Sequence, residues 1–179
     1  MLSPAEFENL TAGILFRDEL QVVSAPSPKK LAPYGISLLG EINTEQHFAD
    51  SRVVVLYNPD GDPAWNSTAR VIIFLKAEIE SELADDPLIL HIAWQWLEEA
   101  LAKFNAKTQE LSGTVTRTSA KGFGAIDEQS PSTIEIRASW SPVDTGHLEQ
   151  HIRAWGELVC VAAGIDPEGV NSLHRNTHR

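Results

Sequence analysis

The sequence predicts an α+β fold, with a mainly antiparallel sheet of five to six strands, two long helices packed on one face, and an N-terminal helix. Three observations carry that prediction. Strand-like runs fall into two groups, each followed by a segment of helical spacing. Strict βαβ alternation is therefore absent, and the strands are expected to pair antiparallel. Each long helical segment carries a broad apolar stripe able to cover a sheet from one side. Finally, 179 residues that are 42% hydrophobic and 22% charged can bury one core without disulfide or metal. No low-complexity linker divides the chain, so residues 1–166 are read as one domain and 167–179 as a polar tail.

Ser3-Pro4-Ala5-Glu6 is a capping box with proline at the first helical position. Phe7, Leu10, Ile14 and Leu15 follow at helical spacing, so a first helix is predicted to end near Arg17. Gln21 to Ser24 is short and extended, and the paired prolines of Ala25-Pro26-Ser27-Pro28 then force a loop. Tyr34 to Ile42 and the β-branched run Arg52 to Tyr57 are predicted strands. Asn58-Pro59-Asp60-Gly61-Asp62-Pro63 is the strongest turn signal in the chain. Ala69 to Glu80 alternates, with Val71, Ile73, Leu75, Ala77 and Ile79 on one face and Arg70, Lys76, Glu78 and Glu80 on the other. Ile72 and Phe74 interrupt its polar side.

Asp85-Asp86-Pro87 places acids where a helix dipole favours them and opens a central helix. Its stripe is Leu90, Trp94, Leu97, Leu101 and Phe104, widened by Ile89, Ala93, Trp96 and Ala100. So broad an arc implies cover on two sides or an interface, and a homodimer through this helix would supply one. Gly113 to Ser119 and Thr133 to Trp140 are two further strands, joined through Lys121-Gly122-Phe123-Gly124. Ser141-Pro142-Val143-Asp144 starts the last helix, whose stripe is Leu148, Ile152, Trp155, Val159 and Ala162, with Gly164 as C-cap.

Charge narrows the function classes. Fourteen Lys and Arg against 25 Asp and Glu give a net charge of -11, which disfavours nucleic acid and anionic membrane surfaces as partners. A single cysteine, Cys160, lies in the apolar run Leu158-Val159-Cys160-Val161-Ala162 and is expected to be a buried, inert thiol. No segment has the length of a membrane span or the charge pattern of a secretory leader, so the cytoplasm is the expected location.

No catalytic centre, cofactor or metal site is expected. His147 and His151 share a helix face at metal-ligand spacing, but no third His or Cys stands near, and a solvated helix face explains the pair. His91 has no serine or cysteine partner in view. The acid pairs Asp60/Asp62 and Asp85/Asp86 serve a turn and a helix start. Lys121-Gly122-Phe123-Gly124 lacks the ending of a phosphate loop and sits between strands, and no nucleophile-elbow motif occurs.

The polar side of the sheet is the remaining candidate. Arg70, Arg117, Glu135 and Arg137 sit on strands of an acidic chain, with Trp65, Phe123 and Trp140 close in sequence. Guanidinium groups beside aromatic rings suit a carboxylate or phosphate ligand or an acidic partner peptide. The competing explanation is a set of cross-strand ion pairs with Glu135 and Glu78 on a solvated surface.

Leu31-Ala32-Pro33-Tyr34, Tyr57 to Trp65, Asp86-Pro87-Leu88, Trp94-Gln95-Trp96-Leu97, Gly113 to Arg117, Phe123-Gly124, Glu135 to Pro142, His147-Leu148 and Ala154-Trp155 together carry a resemblance over nearly the whole chain. The chain resembles a family of actinobacterial proteins classed only as a domain of unknown function. Some of those relatives carry an enoyl-CoA hydratase label. The crotonase fold this implies has a longer chain, a repeated ββα core, paired backbone donors and two placed glutamates, none visible here. Two functions stay open. One is a binding or adaptor protein that recognises a protein partner or a small acidic ligand through the Arg/aromatic sheet face. The other is a small-molecule-binding protein or enzyme with a pocket between sheet and helices, built around Trp65, Arg117 and Arg137.

Overall fold

The computed structural model describes residues 2–126 and 130–166; the predicted polar tail lies outside these residues. The fold is α+β. Six antiparallel strands among the described residues form one sheet: β1 (Gln21–Ala25), β2 (Tyr34–Asn43), β3 (Phe48–Asp62), β4 (Ser67–Ile79), β5 (Thr108–Thr118) and β6 (Ser132–Pro142). Their order is β1-β2-β3-β4-β6-β5, so β1 and β5 are the edges. The helices are α1 (Pro4–Glu8), α2 (Ser81–Ala84), α3 (Ile89–Lys103) and α4 (Leu148–Ala162).

Period-2 alternation sends one set of side chains from each strand to the helical layer. Val53, Val55 and Tyr57 of β3 align with Ile73, Val71 and Ala69 of β4, and these with Ala138 and Trp140 of β6. All are buried, and Leu148, Ile152, Trp155 and Val159 of α4 close over them as the stripe predicts. Gly40 of β2 gives the indole of Trp155 its seat: a Cβ there would stand 2.8 Å from the ring. Two hydrogen bonds fix α4 on this apolar bed. Trp155 Nε1 donates to Ser51 Oγ at 2.7 Å, and Ser51 Oγ donates to the Phe74 carbonyl. One helical turn earlier, His151 Nδ1 accepts from Trp140 Nε1 at 2.9 Å. Gly164, at φ +78, ends the helix as expected.

Several elements differ from expectation. The capping box forms, with Glu6 Oε2 accepting from the Ser3 backbone at 2.8 Å, yet α1 stops at Glu8 instead of Arg17. Asn9 caps it, donating from both backbone and side chain to the Ala5 carbonyl. The apolar spacing beyond belongs to successive turns, in which Leu10 and Ile14 still reach the core while Leu15 is exposed. The Asn58–Asp62 turn signal falls inside a long hairpin as a register shift between Tyr57 and Asp62, and the chain reverses just after it. Asp86 Oδ1 accepts from the Leu88 N–H just ahead of α3, and the short α2 that precedes Asp85 is an addition to the expected elements. In α3 the core stripe is Ile89, Ala93, Leu97, Ala100 and Leu101; Leu90 turns out to solvent and Trp94 and Trp96 are half-buried. His147 is exposed but His151 is buried, so the two do not share a solvated face.

Candidate functional site

Both long helices lie on one side of the sheet, which leaves its other side for solvent or a partner. Register arranges that open side in transverse rows. One row runs Gln21, Glu41, Asp50, Lys76, Glu135, Thr116 and carries three acids against one lysine. The next runs Val23, Leu39, Arg52, Phe74, Arg137, Thr114, and the one after it Ala25, Ser37, Val54, Ile72, Ser139, Ser112. Beyond these stand Leu56 and Arg70. Glu41, Asp50 and Glu135 are grouped in the first row and Glu78 lies in the row beyond it, while Arg52, Arg70 and Arg137 stand around the half-buried Ile72 and Phe74 and the buried Val54.

Each arginine is held differently. Arg137 Nε pairs with Glu135 Oε1 at 2.7 Å, and its guanidinium carbon lies 5.3 Å from the centroid of the Phe74 ring, a cation–π distance. Arg52 Nε donates to Ser37 Oγ at 3.0 Å. Arg70 is half-buried, with Nη1 on Ser141 Oγ at 3.1 Å and Nη2 on Ser139 Oγ at 2.7 Å. Ser141 Oγ in turn donates to the Trp65 carbonyl at 2.6 Å, so the hairpin tip steadies the arginine. Among the described residues, neither Arg52 nor Arg70 has a carboxylate within ion-pair distance. Desolvation lowers the pKa of Arg70, with nearby Glu110 opposing the shift. Its guanidinium is a pre-aimed fork that lacks a counter-ion in contact, the geometry that a carboxylate fits. A shallow depression of about 320 Å³ lies beside it, lined by Ile72, Ser112, Thr114, Arg137 and Ser139.

The seven residues singled out from the sequence do not form one site. Arg70, Glu135 and Arg137 share the open face, and Trp65 joins through its carbonyl. Arg117 aligns with Ile134 and so belongs to the helical side, where Nη1 donates to the Ala84 carbonyl at 2.8 Å and caps α2. Trp140 is fully buried under α4. Phe123 is 76% exposed in the β5–β6 connection, with Lys121 Nζ 5.6 Å from its ring centroid. A pocket using both Arg117 and Arg137 therefore does not form, because the two face opposite sides of the sheet. Arg52 and Phe74 join the candidate residues of this face and were not singled out from the sequence. Their signal was present: Ile72 and Phe74 break the polar alternation of β4, and apolar residues out of phase mark a face that is not meant for water alone.

On the helical side, α3 and the edge strand β5 leave an open groove of about 460 Å³ lined by Leu90, His91, Trp94, Glu98, Gly113 and Val115. Burial lowers the pKa of His151 to about 4, against the pull of Glu149 and Asp144. It is neutral at pH 7, which keeps Nδ1 free to accept from Trp140. Among the described residues no group of three His, Cys, Asp or Glu side chains is placed to hold a metal ion. No described helix is long and apolar enough to cross a membrane.

No curated protein and no solved structure matches the chain. Residues 3–171 match the family described as "Protein of unknown function (DUF3000)", and the chain is a member of that family.

Proposed function

We propose that this chain is a cytoplasmic binding or adaptor protein that docks an acidic segment of a partner protein on the open face of its sheet. The observation that carries the reading is the trio Arg52, Arg70 and Arg137 around Val54, Ile72 and Phe74, in a protein whose net charge is -11. Cations gathered about a partly apolar centre, with hydroxyls holding them in place, have the composition of an interface hot spot. Nucleic acid would meet the neighbouring row Glu41, Asp50 and Glu135, whose charge repels a phosphate backbone. A short protein segment can set its few carboxylates on the arginines and turn uncharged residues toward that row, whereas a phosphate backbone carries a charge at every step. Actinobacterial origin, which the sequence resemblance implies, is the setting in which the partner would be sought.

A displayed peptide library panned against the wild-type chain tests this. Enriched peptides should combine Asp or Glu with a large apolar residue, and the Arg52→Glu, Arg70→Glu, Arg137→Glu variant should retain none of them. Enrichment that survives the charge reversal, or shows no acidic bias, would remove the proposal.

A further inference from the structure

We infer that the β5 edge and the adjoining flank of α3 form an interface with a second copy of this chain, the two β5 strands pairing antiparallel into one continuous sheet. The two edges of the sheet are built differently. β1 has five residues and runs into Pro26 and Pro28, which have no N–H to offer an added strand. β5 has 11 residues with no proline or lysine among them. Its bulge, between Gln109 and Ser112, disturbs only one end, and Ser112 to Thr116 carry no charge. An edge with an uncharged central stretch and no proline is a template for strand pairing.

The layer above supports the same partner. A two-fold axis normal to the sheet keeps both copies of α3 on one side. With strands about 4.8 Å apart and α3 lying over β5 and β6, the two helices come about 10 Å apart, within the distance at which helices pack. Leu90, 42% exposed, and the half-buried Trp94 then meet their counterparts and close the groove above Gly113 and Val115. Charge selects this flank among the surfaces on which two copies could meet. Two copies at -11 each repel, so contact is favoured where acids are few. The edge and flank hold Glu98 and Glu110 against Arg117, with the acidic row of the open face directed elsewhere. Size agrees too. An edge of 11 residues is about 37 Å long, and sheet plus helix about 20 Å deep, so each copy would cover about 700 Å², close to the roughly 800 Å² per partner of a standard interface.

Sedimentation of the full chain from low to high micromolar concentration tests the inference. The wild type should sediment as a dimer, twice 19.7 kDa. The Leu90→Lys, Thr114→Lys variant should be monomeric with an unchanged circular dichroism spectrum and a cooperative thermal transition that no longer depends on concentration, since both positions are exposed. Under mild oxidation a Thr114→Cys variant should crosslink between chains and a Val23→Cys variant on the β1 edge should not; Cys160 is buried and does not compete. A wild type that stays monomeric throughout overturns the inference. So does a dimer that the two lysines leave intact, or equal crosslinking at the two cysteine positions.

Discussion

The two faces of the sheet use the same strands to opposite ends. On the covered face every large side chain has a fixed neighbour: Trp140 has His151, Trp155 has Ser51, and Tyr57 stacks on Phe7 with centroids 5.2 Å apart. On the open face Phe74 and Ile72 have only partial cover, and two arginines are oriented by serines without reaching a carboxylate. Buried polar groups on the first face are matched within the chain, which makes a core specific. Polar groups on the second are aimed but not neutralised, which leaves recognition to something outside. The difference separates residues that specify the fold from residues that stand ready for a partner.

Removing the largest fixed neighbour should break the covered face. Trp155→Ala deletes a fully buried indole and removes the donor to Ser51 Oγ, and should cost about 3–5 kcal/mol in chemical denaturation. A loss within experimental error would mean that α4 does not depend on that seat. Acid sharpens the same contrast. Because the His151 pKa falls from 6.5 to about 4 on folding, the unfolded chain binds the extra proton between these values. The stability that neutral His151 contributes is complete above pH 6.5 and is lost as pH falls toward about 4, by up to roughly 3 kcal/mol. A His151→Gln variant, which can still accept from Trp140, should flatten that part of the stability–pH curve; an unchanged slope would assign the loss to other groups. The smallest effect belongs to the open face. Arg52→Ala and Arg137→Ala should each shift stability by no more than about 0.5 kcal/mol. A cost of several kcal/mol would make these arginines structural and remove the contrast between the faces.

The fold was legible because its strands are long and their alternation is clean: Val71, Ile73, Leu75, Ala77 and Ile79 named one face of β4 without help. Helix boundaries and rotation were harder. Beyond Glu8 the apolar spacing persisted through turns, because a turn can place Leu10 and Ile14 on the core as well as a helix can. In α3 the arc of apolar residues was so wide that only the positions of the sheet and α4 decide which part is buried. The site was half legible. Arg70, Glu135 and Arg137 were visible from alternation alone, but the neighbourhood of Arg52, Phe74 and Arg137 depends on strand order and register. Both arise from pairing between segments distant in sequence. Trp140 and Arg117 were close in sequence to the open face and lie across the sheet from it, since neighbouring positions on a strand point to opposite sides.

The two bonds under α4 have a consequence for how many native states the molecule has. An apolar helix on an apolar sheet can slide by a turn or roll by a few tens of degrees and still keep most of its contacts. Acceptor and donor at positions 151 and 155, one turn apart, engage partners on β6 and β3 respectively. Only one combination of rise and rotation makes both bonds, and any other leaves an indole N–H dry and unbonded. Hydrogen bonds worth little in net stability thus act as a pair of keys, selecting a single docked helix from a family of nearly equal ones.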